Sequence, residues 1–197
     1  MNTANPSPAP LSPSCTAFAG PARLASGTLA EVAVAVSQAA AEPSVLVFDD
    51  TTGKVVDLDL RGGDAAIRRR YQPADTLPEP SPERGRGRPK LGVVAREITL
   101  LPRHWDWLGA QPGGASVALR KLVETALRAN AERDRIRAAK EAAYRFISAM
   151  AGNEPHFEEA TRALFAGNRV GFEAQSKSWP EDVRDYARKL AAESFAA

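Results

Sequence analysis

The chain has 197 residues, 44% of them hydrophobic and 25% charged, and a formal net charge of +2. That composition suits one or two soluble globular domains, and no apolar run approaches the roughly 20 residues needed to span a bilayer. A single cysteine excludes an internal disulfide, and so small a net charge leaves only local clusters to carry any affinity for nucleic acid.

Residues 1–14 read MNTANPSPAPLSPS, a Pro/Ser tract expected to be a disordered tail. It lacks the basic start and apolar core of a signal peptide, so a cytoplasmic location is expected. Cys15 lies beside it with no evident histidine partner, which argues for an incidental thiol rather than a nucleophile.

Residues 15–72 read as a small α+β domain. Phe18 and Leu24 flank the turn pair Gly20–Pro21, which predicts a short hairpin. Thr28 followed by Glu31 has the spacing of a capping box, and Leu29, Val32, Ala33 and Val36 then make one helical face. The continuous apolar run Val45–Phe48 predicts a buried central strand. Val56, Leu58 and Leu60 alternate with Asp57 and Asp59, which predicts a second strand with one wet face. Gly62–Gly63 breaks it, and Asp64 is expected to cap a short helix. Asp49, Asp50, Asp57 and Asp59 admit two readings, a divalent metal site or a turn-capping pair beside the solvated face of an edge strand. The second is preferred, because the glycine and spaced oxygen ligands of a calcium loop are missing.

Residues 73–92 form a Pro-rich linker whose acidic first half gives way to a basic arm. From Arg84 to Lys90 there are four cations, Arg84, Arg86, Arg88 and Lys90, and no acid. In residues 93–130 a strand is expected at Arg96–Leu100, with Ile98 and Leu100 inward and Glu97 and Thr99 outward. A helix at about Pro102–Gln111, a turn at Pro112–Gly114 and a second amphipathic helix to Asn130 follow. Trp105 and Trp107 fall on different faces of the first helix, and Trp105 is the better placed to meet another domain.

Residues 131–197 read as helical throughout. Ile136, Ala139, Ala143, Phe146, Ile147 and Met150 line one long helix, and Gly152–Asn153 stops it. Pro155 starts the next helix, Gly167 stops that one, Asn168 caps another, and Pro180 opens the last. Short loops imply antiparallel neighbours, and the aromatics from Tyr144 to Tyr186 are expected in the core. The fold class is therefore α+β.

Chemistry-bearing patterns are sparse. His104 and His156 are the only histidines, so no zinc constellation can be drawn, and there is no nucleophile elbow or Walker loop. The adjacent acids Glu158–Glu159 and Glu181–Asp182 sit in first helical turns, where they offset the helix dipole. No catalytic residue, metal or cofactor is expected, and the chain reads as a non-enzyme.

Arg86–Gly87–Arg88–Pro89 resembles the core of an AT-hook. That resemblance implies an extended arm, from Arg84 to Lys90, in the narrow minor groove of A/T-rich DNA. Glycine permits close approach, the arginines enter enhanced negative potential, and proline holds the exit extended. The strand and two helices that follow resemble the ribbon-helix-helix family of the Arc and MetJ repressors. This implies a homodimer paired through Arg96–Leu100, bases read by Glu97 and Thr99, and phosphate met by backbone N–H groups of Gly114, Ala115 and Ser116. Glu97 departs from that pattern, because a carboxylate accepts from cytosine N4 but repels phosphate. Over about Thr16–Phe195, the phrases TAFAG, VLVFDD, VDLDLRG, GRGRPKLGVVAREITLLPRHWDWL, QPGGAS, AAYRF and ATRALFAG resemble the DUF2239 proteins, a bacterial family of unknown function. The expected function is DNA binding by a dimer, with transcriptional regulation as its setting. The alternative is a non-catalytic protein-interaction or ligand-sensing module whose ribbon serves only dimerisation.

Overall fold

The computed structural model describes residues 14–39, 44–72 and 94–196. Residues 1–13 of the Pro/Ser tract and the arm from Arg84 to Lys90 lie outside the described residues, while Ser14, expected at the end of the tail, instead opens the first strand. The chain divides into two units, one formed by residues 1–76 with 133–197 and the other by residues 77–132.

In the first unit the expected hairpin forms, with β1 at Ser14–Ala19 and β2 at Ala22–Thr28 joined across Gly20–Pro21. Helix α1, Leu29–Gln38, starts at Thr28 with both halves of the capping box present. The Thr28 hydroxyl meets the Glu31 N–H at 3.4 Å and the Glu31 carboxylate meets the Thr28 N–H at 2.9 Å. Two otherwise orphaned donors are thus satisfied. Thr28→Ala is expected to lower the unfolding free energy by about 1 kcal/mol, measurable by chemical denaturation.

β3, Val45–Asp49, pairs with β1, so the sheet order is β2-β1-β3 and β1 is central. The expectation of a central strand at Val45–Phe48 is corrected. Val47 packs with Cys15, Ala17 and Val32, and Phe48 packs with the helical core on the other face. The continuous apolar run therefore reflects cover on both faces, not a partner on both edges. The second expected strand is also corrected. After the turn only the Phe48–Val55 bridge forms, although the Val56 N–H still reaches the Val47 carbonyl at 2.8 Å. Further along, the Asp59 N–H donates to the Tyr71 hydroxyl at 2.6 Å, which a ladder would have claimed. The side-chain alternation survives, with Val56, Leu58 and Leu60 half-buried. Helix α2, Gly63–Tyr71, starts from Gly62 rather than from Asp64. Asp64 instead accepts from Gln38 Nε2 at 2.6 Å and ties α2 to the end of α1.

α3 is Pro102–Gly109, and α4 runs unbroken from Gly114 to Met150. The expected break near Asn130 is absent. No glycine or proline interrupts residues 115–150, and the Asn130 amide bonds back to the Ala126 carbonyl at 2.7 Å, inside the helix. α5, Phe157–Phe165, begins at His156 in the left-handed region with φ 62°. α6, Arg169–Gln175, is capped by Asn168, as expected. α7, Glu181–Ala191, follows Pro180 and closes with a 3-10 turn at Ala192–Phe195.

The first unit has one principal core, built from residues distant in sequence. Phe146 of α4 is its hub, with ring centroids 4.9 Å from Phe48, 5.3 Å from Phe18 and 4.6 Å from Tyr186. The sheet and the C-terminal helices thus bury one another's apolar faces. Tyr144 and Phe165 correct the expectation of a wholly buried aromatic set. Both are exposed and pack edge to face on each other at 5.5 Å.

Candidate functional site

Two places carry enough side-chain chemistry to be considered, one in each unit. In the first unit it is Asp50, which follows β3. β1 alternates, so Ser14 and Thr16 share one face of the strand. Tyr186 and Lys189, three apart on α7, share one face of that helix. All four meet the Asp50 carboxylate. Oδ1 accepts from Thr16 Oγ1 at 2.8 Å and from the Tyr186 hydroxyl at 2.7 Å. Oδ2 accepts from Ser14 Oγ at 2.9 Å and from Lys189 Nζ at 2.8 Å. Four donors fill the four lone-pair positions of a carboxylate. Burial pushes Asp50 upward, but the bonds from Lys189, Tyr186, Thr16 and Ser14 outweigh it and hold the carboxyl below its ordinary range. Burial together with the bond to Asp50 pushes the Tyr186 phenol well above its ordinary range. Cys15, next to this cluster, is pushed up to about 11 by burial and by the charges of Asp49 and Asp50. A saturated carboxylate beside a protonated phenol and thiol holds the sheet to α7, and it has no lone pair left for a metal or a substrate proton.

The other acids separate into different roles. Asp49 caps its own turn, as expected, with Oδ1 accepting from the N–H groups of Thr51 at 3.0 Å and Thr52 at 2.7 Å. Asp59 takes a two-pronged bond from Arg61 at 2.8 and 2.9 Å, which lowers its carboxyl well below the ordinary range. Asp57 is exposed. Among the described residues no group of three or more His, Cys, Asp or Glu is placed to hold a metal ion.

A rigid turn stands beside Asp50. Gly53 has φ 63°, and its α-carbon lies so close to α4 that an added Cβ would fall 2.1 Å from the Ala142 carbonyl oxygen. Arg145 Nη1 donates to the Thr52 carbonyl at 2.9 Å and fastens the same turn. A groove of about 360 Å³ opens here, lined by Asp50, Thr51, Lys189, Leu190 and Glu193 with Arg135, Ala138, Ala139 and Ala142 of α4.

Of the residues that the sequence suggested for nucleic-acid contact, those that are described lie in the second unit. Residues 94–100 form neither helix nor strand and pair with no strand among the described residues. Glu97 and Thr99 are exposed there, and so is Ile98, which was expected to face inward. α3 and the start of α4 bury Leu108 and Ala118. Leu100, His104, Trp107, Leu108, Leu119 and Leu122 line a hollow of about 260 Å³. In the same unit Val94, Ile98, Leu101, Trp105, Trp107, Leu122, Val123 and Leu127 are each between 42% and 73% exposed. At the N-terminus of α4, Gly113 and Gly114 have φ 87° and 75°. The Gly114 N–H is spent on the Gln111 carbonyl at 2.9 Å, so of the three residues expected to meet phosphate Gly114 is not available. Ala115 is half-buried and Ser116 exposed.

Sequence reasoning singled out the segment at 93–130 and passed over the Asp50 cluster. A signal existed in the two same-face pairs, Ser14 with Thr16 and Tyr186 with Lys189, but nothing in the chain order joins them to Asp50. No helix among the described residues is long and apolar enough to cross a membrane. No curated protein and no solved structure matches the chain. Residues 14–191 match the family described as "Uncharacterized protein conserved in bacteria (DUF2239)".

Proposed function

The chain belongs to the DUF2239 family, and from its own residues we propose that it is a DNA-binding protein that acts as a homodimer paired through residues 96–100. The observation that carries this reading is the apolar surface left exposed on the described residues of the second unit. Leu119, Leu122, Val123 and Leu127 recur at helical spacing on α4, yet the last three are about half exposed. Ile98, within the segment 94–100, and Leu101, next to it, are exposed as well. A second copy of the same segment, laid antiparallel, would satisfy the open backbone groups of both chains and cover both apolar faces at once. That isologous arrangement suits the commonest oligomer symmetry. The arms from Arg84 to Lys90 would then stand as a pair and neutralise phosphates or enter the minor groove. Ala115 and Ser116 add N–H groups at the start of α4. Exposed Glu97 argues against strong base reading, so the affinity is expected to follow groove shape and phosphate charge.

The test pairs two variants of the full-length chain. Wild type is expected to sediment as a dimer and to bind a labelled A/T-rich duplex with an affinity that falls as salt rises, with a log–log slope of about 0.9 per phosphate neutralised. Leu122→Glu should give monomers. Arg86→Ala/Arg88→Ala should remain dimeric but lose most of the DNA affinity and about two units of that slope. A wild-type monomer, or an arm variant that binds duplex as well as wild type at low salt, would refute the reading.

A further inference from the structure

We propose that the groove beside Asp50 binds a small organic monoanion, a carboxylate carried on a short apolar body. The inference concerns the first unit alone and does not rest on DNA binding. At about 360 Å³ the groove falls in the size range of small-molecule sites, and it sets three alanines and a leucine beside the polar side chains of Asp50, Thr51, Arg135, Lys189 and Glu193. Ala138, Ala139 and Ala142 supply only methyl groups from α4, and Leu190 is the one larger apolar side chain in the lining. The wall at Asp50 and Thr51 is preorganised, because Gly53 lies against Ala142 and Arg145 holds the Thr52 carbonyl.

Two cations are among the lining residues. Lys189 is fixed by Asp50 at 2.8 Å, and its ammonium has three donors to distribute. Arg135 meets Glu193 only at 3.9 Å, the outer limit of an ion pair, with both side chains more than half exposed. A guanidinium so loosely engaged can turn its planar fork to a carboxylate, the geometry it matches best. Charge fixes the valence of the ligand. Arg135 and Lys189 are balanced by Asp50 and Glu193, so one negative charge can replace Glu193 at Arg135. A second would meet the two acids at close range.

Calorimetric titration of the full-length chain with 4-methylpentanoate, its neutral amide 4-methylpentanamide and succinate tests this. A saturable one-to-one heat is expected for 4-methylpentanoate only. Arg135→Gln, at an exposed position whose loss leaves the fold intact, should weaken it at least about tenfold. Ala138→Trp, also at an exposed helical position, should abolish it by filling the groove. The proposal is overturned if no saturable heat appears up to about 20 mM, well above the millimolar affinity such a small ligand can reach. It is overturned equally if the amide or succinate binds as tightly as the monoanion, or if both variants bind like wild type.

Discussion

Gly53→Ala is expected to destabilise the first unit by about 3 kcal/mol or more, the sum of a left-handed backbone costing about 1–2 kcal/mol and an overpacking of similar size. The residue sits at φ 63° in the turn after β3, and its missing side chain is where the Ala142 carbonyl of α4 comes closest. The obstacle is helix backbone, so no rotamer change relieves it. Either the turn lifts from α4, with loss of the Arg145 bond to Thr52, or α4 bends locally. For a chain of this size the thermal midpoint should fall by about 10 °C. Gly63→Ala supplies the control. Its φ is 74° but nothing lies within 4 Å of the added Cβ, so only the conformational cost of about 1–2 kcal/mol applies. Equal losses from the two substitutions, measured by denaturant unfolding, would show that the close approach of turn and helix contributes nothing.

Neighbour relations explain what could be read in advance. The hairpin around Gly20–Pro21, the capping box of Thr28 and Glu31 and the Asn168 cap depend on residues within a few positions, and each formed as its pattern implied. The expected strand over Val56–Leu60 shows where pattern stops short. Alternation fixes which side chains face the core, but a ladder needs a partner edge, and the Tyr71 hydroxyl took the Asp59 N–H instead. The run Val45–Phe48 shows the converse. Hydrophobicity reports cover on two faces, and that cover came from α1 on one side and from Phe146 on the other.

The same limit applies to function. The segment at 93–130 drew notice because its apolar spacing is local, and several of those apolar side chains are exposed in the single chain. The Asp50 cluster was not legible. Its donors come from positions 14, 16, 186 and 189, and the doublet Asp49–Asp50 reads as a turn. Only packing separates them, because Asp49 turns to its own backbone and Asp50 turns inward.

Asp50→Asn is expected to cost about 2–3 kcal/mol near neutral pH, the upper part of the range for leaving a buried hydrogen-bonding group unmatched. One carboxylate oxygen becomes an amide N–H₂ facing donors, either Ser14 and Lys189 or Thr16 and Tyr186. Lys189 can swing to water, since its side chain is 59% exposed. Thr16 is fully buried and Tyr186 nearly so, which makes an unmatched hydroxyl there costly. Tyr186→Phe, by contrast, removes one donor and leaves three on the carboxylate, and should cost about 1 kcal/mol. Acid separates charge from shape. The Asp50 carboxyl is held below its ordinary value when folded, so its stabilisation is complete above the unfolded pKa of about 3.9 and is lost as pH falls through the lower folded value. Wild type should therefore lose stability more steeply than Asp50→Asn on acidification below about pH 4, and the gap between them should narrow. Unfolding free energies that stay parallel from neutral pH down to about pH 3 would mean that the Asp50 charge contributes nothing to holding the sheet against α7.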